Sequence, residues 1–240
     1  VCALLTCRPN IPLVNALQRR LRNLTTETLD PLDPGELSLW LEKFLGAGPK
    51  SELRQKIDFN ALFQRTGGNP LILRYALERI LHEVQHAQQR GQPLPAIDVN
   101  RMPDTVDALF AGIYDEIAEK RNGQFTEAGR RRAMLAQMLA LAFEPLSIEQ
   151  LRDLLRLQLN TPLTLEETRD LLLPISEYLL RFEGDRFLLY HQGLADYLLN
   201  RVLAQDEQAQ WHRQFAEWLM QPRQAQSPYR LRYLPRHLLA

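Results

Sequence analysis

The most suggestive spacing in the chain is His82-Glu83-Val84-Gln85-His86. On a helix, histidines four apart share a face. Two imidazoles can then hold one zinc ion while the glutamate between them acts as general base, the arrangement of a zinc-dependent peptidase. A third ligand is needed. The continuation Ala87-Gln88-Gln89-Arg90-Gly91-Gln92 supplies no histidine, and the carboxylates of Glu116 and Glu119 lie across a proline-rich stretch. The simpler reading is the polar end of a helix whose apolar face is Leu77, Ile80, Leu81 and Val84, so no metal is assigned. A second stretch, Gly46-Ala47-Gly48-Pro49-Lys50-Ser51, imitates the end of a phosphate-binding loop. Pro49 stands where the loop needs the glycine before its lysine, and a helix rather than a strand precedes it, so it is rejected.

The elements that position any site are mostly helical. Residues 1–7 form an apolar run closed by Arg8-Pro9, which suits a buried parallel strand whose sheet lies elsewhere. Helices are predicted over about 35–46, opened by Asp33-Pro34, and over 52–64. Thr66-Gly67-Gly68-Asn69-Pro70 then breaks the chain before a long helix from about 71 to 89. The stretch 90–103, with Gly91, Pro93, Pro95 and Pro103, reads as a linker. Further helices are predicted at 104–120, 127–143, 147–158 and 164–180, with capping boxes Ser147/Gln150 and Thr164/Glu167. Leu179–Phe182, Glu183-Gly184-Asp185 and Arg186–Tyr190 read as a β-hairpin. Helices resume at 191–204 and 207–220, and a last one starts near Pro228. Trp211, Phe215 and Trp218 fall at i, i+4 and i+7, a stripe for core or domain packing.

Composition narrows the classes. The chain has 240 residues, 45 % of them apolar, with 29 basic and 29 acidic side chains. Phosphate-driven nucleic-acid binding normally shows a basic excess, which is missing. Cys2 and Cys7 have no partner at metal spacing and suggest no disulfide framework, which fits the cytoplasm. No run is long enough to span a membrane.

Four local patterns, in order, resemble the STAND NTPases, the AAA+-related signal-transduction ATPases that include NACHT and NB-ARC proteins. Leu4-Leu5-Thr6-Cys7-Arg8-Pro9 is similar to the strand that ends in the sensor arginine, with Cys7 in place of the usual serine. Leu29-Asp30-Pro31-Leu32 resembles the junction leading into the small helical domain. Gly68-Asn69-Pro70 resembles the G-x-P motif of the helical lid. Leu189-Tyr190-His191-Gln192 resembles the M-H-D segment after the wing, with Gln192 in place of the aspartate. Tyr229 to Leu238 resembles the helix that leads to WD40 or TPR arrays. The resemblance implies a mainly α chain. Residues 1–33 would end an α/β P-loop NTPase sheet, 34–97 would be a small helical lid, 98–204 a winged helix of three helices plus a hairpin, and 205–240 the start of a helical arm.

By the same resemblance the cofactor is ATP or ADP, contacted by Arg8, Gly68, Asn69, Pro70 and His191. An arginine at a strand's C-terminal end can reach a γ-phosphate, a prolyl ring offers adenine a rigid apolar face, and an imidazole can donate to a phosphate. The phosphate loop and the magnesium-binding carboxylate are missing from the sequence, so catalysis and magnesium are expected from an upstream NTPase half. The expected partners are that half, C-terminal sensor repeats and further copies of the protein. A winged helix also raises a DNA-binding regulator. However, its third helix reads Leu165-Glu166-Glu167-Thr168-Arg169-Asp170, an acidic surface that suits packing and not a phosphate backbone. The basic run Arg130-Arg131-Arg132 is read as a solvated face.

Overall fold

The computed structural model describes residues 30–45, 57–91, 98–121 and 124–240, for 45, 86, 88 and 121 the backbone alone. The predicted strand at 1–7, Arg8, both cysteines, Leu29 and the decoy at 46–51 lie outside the described residues. The described chain is mainly helical. In order it runs α1 (Pro34–Leu45), α2 (Phe59–Thr66), α3 (Pro70–Gln89), α4 (Val106–Ile117), β1 (Lys120–Arg121), β2 (Gln124–Phe125), α5 (Glu127–Leu141), β3 (Leu146–Ser147), α6 (Ile148–Leu159), α7 (Leu165–Leu172), β4 (Leu179–Phe182), β5 (Arg186–Leu189), α8 (Gln192–Tyr197), α9 (Gln205–Met220) and α10 (Pro228–Leu239).

Local chemistry explains most boundaries. Asp33 and Glu36 cap α1 reciprocally: Glu36 N donates to Asp33 Oδ1 at 2.8 Å and Asp33 N to Glu36 Oε2 at 3.0 Å. The capping boxes at Ser147/Gln150 and Thr164/Glu167 both form. The helix expected over 164–180 is shorter. It stops at Leu172 and tightens into a 3-10 segment, Leu173–Tyr178, because Pro174 has no N–H to continue the α ladder. The hairpin pairs Leu179 with Leu189 and Phe182 with Arg186, and Gly184 (φ +73°) and Asp185 (φ +49°) turn the corner in the left-handed region. The unforeseen strand β3 adds to β5, giving a three-stranded antiparallel sheet of order β3-β5-β4.

Buried apolar side chains form two clusters. The first gathers Leu37 and Leu41 of α1, Leu62 of α2, Leu73, Leu77 and Ile80 of α3, and Val99 and Met102 beyond it. Part of the expected linker therefore belongs to a core: Arg65 Nε donates to Met102 O at 2.9 Å and ties it there. The second cluster gathers α4 to α10 and takes in Ile72 of α3, so α3 faces both. Trp211, Phe215 and Trp218 are all buried in it. The basic run needs a correction. Arg130 is exposed, but Arg132 is buried, donates to Ile117 O at 3.1 Å and pairs with Glu119. The 100° step of a helix turns one of three successive residues inward.

α9 and α10 close on a histidine–aromatic cage. His237, 2 % exposed, stacks on Phe215 at 4.5 Å and 6°. Its Nδ1 lies 2.8 Å from His212 Nδ1 and its Nε2 lies 3.2 Å from Tyr229 OH. That phenol oxygen accepts in turn from Phe143 N at 3.2 Å. Burial first, then the neighbouring His212, pulls the His237 pKa down to about 3, and burial lowers that of His212.

Candidate functional site

The first site motif is built around Gly68. Its φ of +70° is a left-handed conformation that favours glycine, and a Cβ there would stand 2.1 Å from Leu32 O. Leu32 N donates to Gly68 O at 2.9 Å. Leu32, the last residue of the junction pattern, and Gly68 of the Gly68-Asn69-Pro70 motif are therefore directly bonded although far apart in the chain. The next two residues start α3. Asn69 Oδ1 accepts from Leu71 N at 3.0 Å and Ile72 N at 3.3 Å, a cap, and Pro70 occupies the first helical position. Pro70 is exposed.

The second motif sits after the hairpin. His191 caps α8, its Nδ1 accepting from Gly193 N at 3.0 Å, which leaves Nε2 as the protonated nitrogen of the neutral ring. Its ring packs 5.6 Å from that of Phe110. Gly193 makes this possible, since a Cβ there would meet Phe110 at 2.7 Å.

A cleft of about 810 Å³ lies between α3, α4, the 3-10 segment before β4 and the turn after β5. Leu71 and His191 both line it, so the first turn of α3 and the post-hairpin imidazole face one space. Pro70 itself does not line it; Leu71 beside it does. Leu109, Phe110, Ile113 and Leu194 form an apolar wall. The rim is polar and its guanidiniums are already compensated. Arg74 Nε donates to Glu78 at 2.9 Å, which, with Tyr190, raises the Arg74 pKa. Arg79 faces Glu116 at 3.0 Å and Glu83 at 3.8 Å. The cleft thus offers a ligand an apolar wall and a polar rim whose arginines are already paired.

Glu116 is the hub of the rim, and sequence reasoning weighed it only as a metal ligand. It accepts from Tyr178 OH at 2.6 Å, Tyr75 OH at 3.2 Å and Arg79 Nη1 at 3.0 Å. Burial, with the Glu116 carboxylate next, pushes the Tyr75 pKa up to about 12 and that of Tyr178 well above the ordinary phenol value. Both phenols are therefore donors at neutral pH. Glu119, the other carboxylate considered for zinc, is taken by Arg132 and by Thr126 Oγ1 at 3.0 Å. His82 lines the cleft, whereas the side chain of His86 is not among the described ones. No group of three His, Cys, Asp or Glu side chains among the described residues is arranged to hold a metal ion. The first turn of α7 presents Glu166 and Glu167 to solvent. No described helix is long and apolar enough to cross a membrane.

Comparison with protein-family models, curated proteins and solved structures returned no match. The functional reading rests on these residues themselves.

Proposed function

We propose that the chain is part of a STAND-type ATP/ADP-dependent signalling switch. Residues 34–97 act as the helical lid, 98–204 as a winged helix with the β4–β5 hairpin as its wing, and 205–240 as the start of an arm toward WD40- or TPR-like sensor repeats. The observation that carries the reading is the shared cleft: Leu71, beside the Gly68-Asn69-Pro70 turn, and His191 line one space although they are far apart in the chain. The direct bond between Leu32 and Gly68 supports it from the other side, since it joins two further segments of the same pattern.

In this reading ADP lies between the first turn of α3 and His191 and holds lid and wing together. The base rests on apolar surface and the imidazole Nε2–H meets the β-phosphate. Exchange for ATP, reported by Arg8, shifts the population toward an open arrangement whose uncovered surfaces self-assemble in the cytoplasm. The 240 residues contain no phosphate-binding loop, so binding and reporting are assigned to them and hydrolysis is not. The loop and the magnesium carboxylate belong to an NTPase half outside these residues.

Nuclear magnetic resonance on the purified chain tests the reading. Millimolar ADP should shift amide signals of Leu71 and Ile72 together with the imidazole signals of His191. His191→Ala should weaken the apparent affinity about tenfold, the value of one hydrogen bond to a charged group. Shifts confined to other regions, or none at either segment, overturn the proposal.

A further inference from the structure

The two walls of the cleft are joined through one carboxylate. Tyr75 and Arg79, at i and i+4 on one face of α3, reach Glu116 from the lid side, at 3.2 and 3.0 Å. Tyr178 reaches it from the other side, at 2.6 Å. Tyr178 in turn accepts through its backbone oxygen from Tyr190 N at 2.8 Å, and Tyr190 precedes His191. An unbroken path therefore runs from α3 through Glu116 to the residue beside the imidazole. A direct contact across the cleft, Arg74 Nη1 to Tyr190 OH, is long at 3.4 Å.

We infer that Glu116 is a latch that helps hold the α3 wall and the Tyr178–His191 wall of the cleft together before any nucleotide binds. The inference rests on the reading of the cleft as the hinge of a nucleotide switch and adds its regulation. A ligand entering between Leu71 and His191 then finds the walls already at working distance and spends less of its binding free energy on closure. Opening must break either the Tyr178 bond or both the Tyr75 and Arg79 contacts, and with them the long Arg74–Tyr190 contact. The phenols stay protonated donors across the physiological range, because burial holds their pKa values up. Glu116 is itself 41 % exposed in its side chain, so the latch can be released without unfolding either core.

The test measures the cleft directly. Spin labels are placed at Gln89→Cys on the end of α3 and Glu183→Cys at the hairpin tip, both exposed, in a Cys2→Ser, Cys7→Ser background of the full 240-residue chain. Double electron–electron resonance should give one narrow distance. Glu116→Ala and the milder Tyr178→Phe should each add a longer distance, with the open population rising about tenfold or more for the loss of charge-assisted bonds. The double variant should open no further than Glu116→Ala alone, because Tyr178 acts through Glu116. Glu149→Ala, on α6 and away from the cleft, is the control and should leave the distance unchanged. A single unchanged distance in both Glu116→Ala and Tyr178→Phe, with helical circular dichroism intact, overturns the latch. Adding ADP separates the two readings. Restored closure in Tyr178→Phe supports latch and switch together. Opening that ADP does not reverse supports the latch and sinks the nucleotide reading. Nucleotide binding with no opening in either variant sinks the latch alone.

Discussion

Two junctions of this molecule are built on opposite principles. α9 meets α10 through a dry cage in which Phe215, Tyr229 and His237 stack, with His237 only 2 % exposed. α3 meets α4 and the hairpin segment through Glu116 and its three donors, with Arg79 and Glu116 59 % and 41 % exposed. The first contact excludes water, and its worth grows with buried area and close packing. The second is partly exposed, and each exposed pair contributes little to global stability. A contact worth little overall can still decide a local equilibrium, because α3 commits Ile72 to the second cluster and most of its buried side chains to the first. One junction is made to persist and the other to be released.

The largest effect should come from breaking the cage. Phe215→Ala removes a fully buried ring that touches both Tyr229 and His237. It should cost about 3–5 kcal/mol of unfolding free energy, read by urea denaturation. The cleft distances should stay unchanged. A loss below about 1 kcal/mol would mean that the α9–α10 contact is not the dry junction described.

Acid probes the same cage next. The His237 pKa in the folded chain lies near 3, below its ordinary 6.5. A group depressed in this way stabilises the fold fully above pH 6.5 and loses that contribution as pH falls toward 3. The facing groups are His212 on α9, Tyr229 and Tyr233 on α10, Arg236 above the Phe143 ring, and Glu144 beside the arm, within 3.4 Å of Arg232. The melting temperature should therefore drop between pH 6.5 and 4, and His237→Phe should flatten that slope. An equal slope in the variant would assign the acid sensitivity elsewhere.

Sequence reasoning reached what is local and missed what is not. Capping boxes at Ser147 and Thr164 and the Gly184 turn involve residues within four positions of each other, so their spacing carries the signal. β3 has two residues and no alternation to read, and Pro174 was overlooked as the stop for α7. The hairpin β1–β2 also escaped notice, although the Asn122-Gly123 pair between its strands is a strong turn signal. Glu116 could not be recognised as a hub, because its donors lie 37, 41 and 62 positions away. The His212–His237 contact spans 25 positions and was equally hidden. Gly68 was found by its type, but the Leu32 carbonyl that demands a glycine there was not.

That demand gives the intermediate prediction, on the cleft side. Gly68→Ala places a methyl group against Leu32 O and forces an alanine to φ +70°. It should cost about 2 kcal/mol and loosen the Leu32 junction, seen as faster amide exchange at Leu32 N. Gly67→Ala shares the left-handed φ, +57°, but meets nothing within 4 Å. The difference between the two variants isolates the steric part from the backbone part. Equal costs would mean that the Leu32 contact contributes nothing.

The smallest effect on stability should be the most informative about the comparison. Arg79→Ala removes the ion pair to Glu116 and the weaker one to Glu83 at 3.8 Å, yet both partners are exposed enough for solvent to screen them. Unfolding free energy should change by about 0.5 kcal/mol or less. The short Tyr178–Glu116 bond persists, so the hairpin side of the hub should stay in place while α3 gains freedom. Raising the salt concentration to about 1 M, where the screening length is about 3 Å, should reproduce the variant's behaviour in the unmodified chain. The cage, which contains no ion pair between its rings, should ignore the salt. A salt response at α10 larger than at α3 would reverse the assignment of which junction is electrostatic.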